Sequence, residues 1–174
     1  HDFKSDDVES MHTYVNTSNV LNLCFDRPQT EMEARFSMQY CMAVALKNGF
    51  LSLQDFTPEA VNRAEIRELL PLTTMDATPP EAELNPAGEF AHELTVTLKN
   101  GETFKTSRMS AKGTLGDPLS DFERRRKFDD CCGPVLGEAS GAALFELCNG
   151  FKDCGDLRTF MAGLLVSSTE PARV

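Results

Sequence analysis

The stretch Thr30–Gly49, TEMEARFSMQYCMAVALKNG, constrains this chain more than any other. Thr30 is a good N-cap, and Glu31 and Glu33 lie in the first turn, where the helix dipole favours negative charge. Glu33 also stands where a capping box with Thr30 needs it. Asn48-Gly49 supplies a left-handed stop. The spacing predicts one helix over 31–47. Residues 40–46, YCMAVAL, carry no charge over nearly two turns, so this helix has to be covered on most of its sides. The fold must therefore provide more than one apolar surface around it.

The surfaces come from strands and further helices. DDVESMHTYV (6–15) alternates, with Met11, Thr13 and Val15 on one face and Ser10, His12 and Tyr14 on the other. His12 reads as a solvated strand residue. HELTVTLKNGETFKTSRM (92–109) is a hairpin around Asn100-Gly101. A three-residue loop, Lys99-Asn100-Gly101, sets Val96 opposite Phe104 and puts the glycine at the left-handed position. In 55–71, Thr57-Pro58-Glu59 starts a helix and Pro71 stops a second short piece. The segment 76–89 has the composition of a surface loop. Beyond 112, Asp117-Pro118 is expected to open a helix, and two more apolar helical segments follow before a frayed end at 166–174.

The expected fold class is α+β: a two-layer sandwich of an antiparallel, hairpin-containing sheet on a long buried helix, with a C-terminal helical tail. The expected domains are 1–112, the α+β unit, and 113–174, the tail. The tail's Phe122, Phe128, Leu144, Phe145, Phe160 and Leu164 exceed what a small sheet face covers, so a further helical domain or partner is expected.

A net charge of −10 argues against nucleic-acid binding, which needs a dense basic face. No apolar run approaches the ~20 residues of a membrane span, and the N-terminus carries no signal segment. The six cysteines form no CxxC and lie far from any histidine, so no zinc site is expected and a reduced cytoplasmic setting is. Cys41 reads as packed rather than nucleophilic. The RRRK run, 124–127, steps around a helix and reads as solvated or paired with Asp121, Asp129 and Asp130. The chain starts without methionine and reads as a fragment.

In EARFSMQYCMAVALKNG, DFTPEAVNRAEIRELLPL, LTVTLKNGETF and GDPLSDFERRRKF, taken in order, the chain resembles the MmgE/PrpD family. That family contains 2-methylcitrate dehydratases, cis-aconitate decarboxylases and iminodisuccinate epimerases. The resemblance covers roughly 6–165 and implies the lid domain plus helices that return to an N-terminal helical domain. It implies a cofactor-independent lyase or isomerase, needing no metal, that moves a proton beside a carboxylate of a small di- or tricarboxylate. It further implies an isolated chain that is inactive, because the family's main acid–base residues lie elsewhere. The exposed apolar tail helices lead to the expectation of a homodimer, and the charge, hydropathy and cysteines to that of a cytoplasmic protein with no nucleic-acid or membrane partner. One active-site residue transfers, the tyrosine of F-S-x-x-Y, which is Tyr40. Arg35, Ser37 and Gln39 beside it are candidates for holding substrate, Arg35 on its chemistry alone. The alternative is a non-catalytic binding or regulatory module that pairs with a separate helical partner.

Overall fold

The computed structural model describes residues 2–79 and 91–165, and the chain divides into two compact units, 1–111 and 112–174. The first unit is built on a four-stranded sheet of order β2-β1-β3-β4, from β1 (Val8–Val15), β2 (Thr73–Ala77), β3 (His92–Leu98) and β4 (Thr103–Arg108). The fold is α+β, with helices α1 (Thr17–Asn22), α2 (Glu31–Arg35), α3 (Met38–Asn48), α4 (Pro58–Val61) and α5 (Ala64–Arg67) in this unit.

The β1 alternation holds: Met11, Thr13 and Val15 are buried while His12 and Tyr14 are half-exposed. The hairpin closes as expected. Val96 pairs with Phe104, the Leu98 amide donates to the Glu102 carbonyl at 2.8 Å, and Gly101 takes φ 87°. Strand β2 has no counterpart among the sequence expectations. It lies parallel to β1, Met11 against Thr73 through Val15 against Ala77, so the sheet is mixed. A five-residue edge strand with one buried position shows too little alternation to be read locally. The rest of the 76–89 loop lies mostly outside the described residues, as does 166–174.

The expected continuous helix is two. α2 ends at Phe36, whose carbonyl accepts from the Phe25 amide at 3.3 Å. Ser37 is the N-cap of α3, its hydroxyl accepting from the Tyr40 amide at 3.1 Å. A serine inside an apolar helical pattern competes for backbone partners, and here it resets the helix. Thr30 caps α2 by accepting from the Glu33 amide at 3.3 Å, but the Glu33 carboxylate takes the Gln29 amide at 2.6 Å instead of closing the box on Thr30. Gly49 ends α3 at φ 76°, as its place in the sequence predicts.

The uncharged run of α3 is now explained. Met42 and Leu46 pack on the sheet cluster of Val8, Met11, Val96 and Leu98. Tyr40, Ala43 and Val44 belong to a second cluster with Ala34, Val61, Ile66 and Leu70. The helix is thus covered by the sheet on one side and by the 58–72 segment on another. Each fully buried aliphatic side chain in these clusters stabilises by roughly 1.5–3 kcal/mol, so the two clusters hold α3 from opposite directions.

The second unit contains α6 (Asp121–Asn149) and α7 (Leu157–Gly163). Ser120, not Asp117, caps α6, in a capping box with Glu123. Asp117 closes the preceding turn: its carbonyl accepts from the Gly113 amide at 2.7 Å and its carboxylate from Lys112 at 3.0 Å. Residues 17 apart in one straight helix stand roughly 25 Å apart, yet the Phe128 and Phe145 ring centroids are 5.1 Å apart. The chain turns back at Gly137, φ 72° and ψ 169°, making a helical hairpin. Arg124 pairs with Asp121 and Arg125 with Asp129, each at 2.9 Å, so the basic run is largely spent on its neighbours. No described helix is long and apolar enough to cross a membrane.

Candidate functional site

The break at Phe36-Ser37 fixes where the next side chains go. Successive residues step about 100° around a helix, so Gln39 and Tyr40, adjacent in the chain, serve different surroundings.

Tyr40 is fully buried. Its ring meets Phe56 at 5.9 Å between centroids, and its hydroxyl donates to the Asp55 backbone carbonyl. The Asp55 side chain is itself buried. It accepts from the Ser52 amide at 2.9 Å, from Asn48 at 3.4 Å and from the Arg63 guanidinium at 2.7 Å. Arg63 also donates to the Ala60 carbonyl at 3.1 Å. Tyr40 and Asp55, both buried, and the half-buried Arg63 therefore form one knot that ties α3 to the 52–63 segment. Burial raises the Tyr40 pKa above its usual value, with the neighbouring Arg63 opposing the rise. The phenol stays protonated at neutral pH, so it can donate a proton in a hydrogen bond but not serve there as a base. Cys41 is likewise pushed up to about 11 by burial, so it remains an unreactive thiol.

Gln39 points to different chemistry. With Arg27, Thr73, Thr74 and Asp76 it lines a cleft of about 440 Å³ between the amino end of α3 and strand β2. Its amide nitrogen donates to the Asp26 carboxylate at 3.0 Å. Two of the lining residues are held by His12 of β1, whose Nδ1 is 2.8 Å from the Thr74 hydroxyl and whose Nε2 is 3.7 Å from the Asp76 carboxylate. A cleft with convergent polar groups and a cation can hold a small polar ligand.

The sequence candidates thus separate. Ser37 is buried and occupied in capping α3. Arg35 lies in solvent, 3.6 Å from Glu31, one helical turn away. Tyr40 is in the core, and Gln39 is at the cleft. Sequence reasoning missed Asp55, Arg63, Arg27 and Thr73. Asp55 and Arg63 share one nine-residue stretch, 55–63, but only the fold shows that they meet. Arg27 had a weak signal: it precedes Pro28 in a connection rich in polar residues.

Residues 1–149 match the MmgE/PrpD C-terminal domain. The chain is 28% identical over 165 residues to the cis-aconitate decarboxylase of Mus musculus, covering 92% of this chain and 33% of that protein. It is 29% identical over 152 residues to the human cis-aconitate decarboxylase, covering 83% of this chain and 31% of that protein. The chain therefore spans about a third of the length of these curated relatives.

Proposed function

Because the chain belongs to the MmgE/PrpD family, as its C-terminal domain, we propose that it is the C-terminal part of a cofactor-independent lyase or isomerase acting on small di- or tricarboxylates. The step moves a proton beside a carboxylate: abstraction followed by loss of water, loss of carbon dioxide followed by delivery of a proton to the resulting carbanion, or abstraction followed by return of the proton to the other face. It needs a base at the carbon, a donor for developing negative charge and cations for the carboxylates. The names of the two relatives put decarboxylation of cis-aconitate first among the reactions to test.

In this reading the chain supplies positioning and one donor, and the base comes from a helical half outside it. Tyr40 is the donor candidate, because burial keeps its phenol protonated. To reach a substrate it has to leave the Asp55 carbonyl, so delivery requires release of the 52–56 turn. Gln39 holds a polar substrate group at the cleft, Ser37 sets the start of α3, and Arg35 can exchange Glu31 for a substrate carboxylate. The second unit exposes Leu115, Phe122, Val135 and Leu157, which supports a helical neighbour and a homodimer. All six cysteines are free, which fits a reducing cytoplasm.

The observation that carries the proposal is the domain match over residues 1–149. The test joins this chain to an N-terminal helical half of its family and presents cis-aconitate, 2-methylcitrate and iminodisuccinate in deuterium oxide. The expected result is turnover of one of them, with deuterium entering beside a carboxylate. No turnover and no exchange with any of the three overturns the proposal.

A further inference from the structure

Among the described residues, two buried side-chain polar atoms lack partners, Gln39 Oε1 and Thr73 Oγ1. Gln39 is 7% exposed and Thr73 4%, so neither group is satisfied by bulk solvent. Leaving a buried donor or acceptor unmade is costly, and such groups are rare in folded proteins. Both residues line the cleft between α3 and β2. The arrangement at Gln39 is forced: a carboxylate only accepts, so the amide nitrogen has to face Asp26 and the carbonyl has to face away from it. Arg27, on the same cleft, has no ion pair among the described residues, whereas Arg35, Arg63, Arg124 and Arg125 each have one.

We propose that this cleft binds a small hydroxycarboxylate, with its carboxylate on the Arg27 guanidinium and its hydroxyl between the Gln39 carbonyl and the Thr73 hydroxyl. A hydroxyl is the group that fits the two orphans together, since it donates to the amide oxygen while accepting from the threonine. One guanidinium anchors one carboxylate. Asp26 and Asp76 on the rim disfavour a ligand that brings several carboxylates to the same point. The choice of ligand class rests on the carboxylate chemistry proposed above, but the site itself rests on this chain's own residues.

The test is binding to the 174-residue chain, followed by the side-chain amide resonances of Gln39, with malate and with succinate, which differ by one hydroxyl. Malate is expected to shift the Gln39 resonances saturably and to bind about tenfold or more tightly than succinate, the difference made by leaving the orphans unmet. Thr73→Val, isosteric and suited to a strand, should abolish the preference for malate while leaving the melting temperature unchanged or higher. Arg27→Gln, on an exposed side chain, should weaken both ligands. Equal binding of the two acids, no binding of either, or an intact preference in T73V each overturns the proposal. Since turnover is not the readout, failure here leaves the family activity standing, and an inactive joined protein leaves this site standing.

Discussion

Replacing Tyr40 by phenylalanine removes one oxygen and nothing else from the core. The ring still fills its place against Phe56, Val44 and Ile66, so no cavity of consequence opens. What is lost is the hydrogen bond to the Asp55 carbonyl, which then stays unpaired in a dry cluster. A buried acceptor left unmade costs about 1–3 kcal/mol. The other bonds in the knot are unaffected: Arg63 and Ser52 still hold the Asp55 side chain at 2.7 and 2.9 Å. The expected cost is therefore in the middle of that range, about 2 kcal/mol, against roughly 3–5 for Tyr40→Ala, which also empties the site. With a urea slope near 2 kcal/mol/M, Y40F should move the unfolding midpoint down by about 1 M at unchanged slope. Amide exchange at residues 52–63 should quicken, because the turn has lost its tie to α3. A Y40F midpoint within about 0.2 M of the parent refutes the reasoning: the phenol would then not be held on Asp55 and would be free to point elsewhere.

Cys41 should resist thiol reagents at pH 8 while the exposed Cys24, Cys131, Cys148 and Cys154 react. Its folded pKa of about 11 stands above the ordinary 9.0, so the stability is whole below pH 9 and is lost as pH climbs towards 11. Tyr40 shifts in the same direction, and Cys41→Ala should flatten the part of the alkaline fall that begins near pH 9. Arg63→Met strands the Asp55 carboxylate and should cost about 2–3 kcal/mol in a urea titration; a neutral result would show the pair to be open to water. Gly101→Ala, at φ 87°, should cost about 1 kcal/mol, read as earlier unfolding with the hairpin's exchange protection reduced.

Local chemistry was legible where it decides structure locally. Gly49 and Gly101 stand where a left-handed residue is needed, and Thr30 and Thr57 cap the helices they precede. The hairpin register followed from placing Val96 and Phe104 on one face. What failed was everything that depends on a partner distant in the chain. Strand β2 is defined by its parallel pairing with β1, more than 60 residues away, and has no period of its own. The helix break at Ser37 depends on a bridge to Cys24. Ser120 rather than Asp117 caps α6 because Lys112 and the 113–117 turn claim the aspartate first. The same holds at the site. Gln39 was singled out with its neighbours, but its setting comes from Thr73, carried by strand β2, and Arg27, carried by the connection before α2.

The proposed division of labour between this chain and an N-terminal helical half is tested most directly by turnover of cis-aconitate, 2-methylcitrate and iminodisuccinate by the 174 residues alone and after joining to such a half. The account predicts no turnover from the chain alone and measurable turnover from the joined protein. Turnover by the chain alone, abolished by substitution of its own residues, would place the proton-moving groups here and contradict the account.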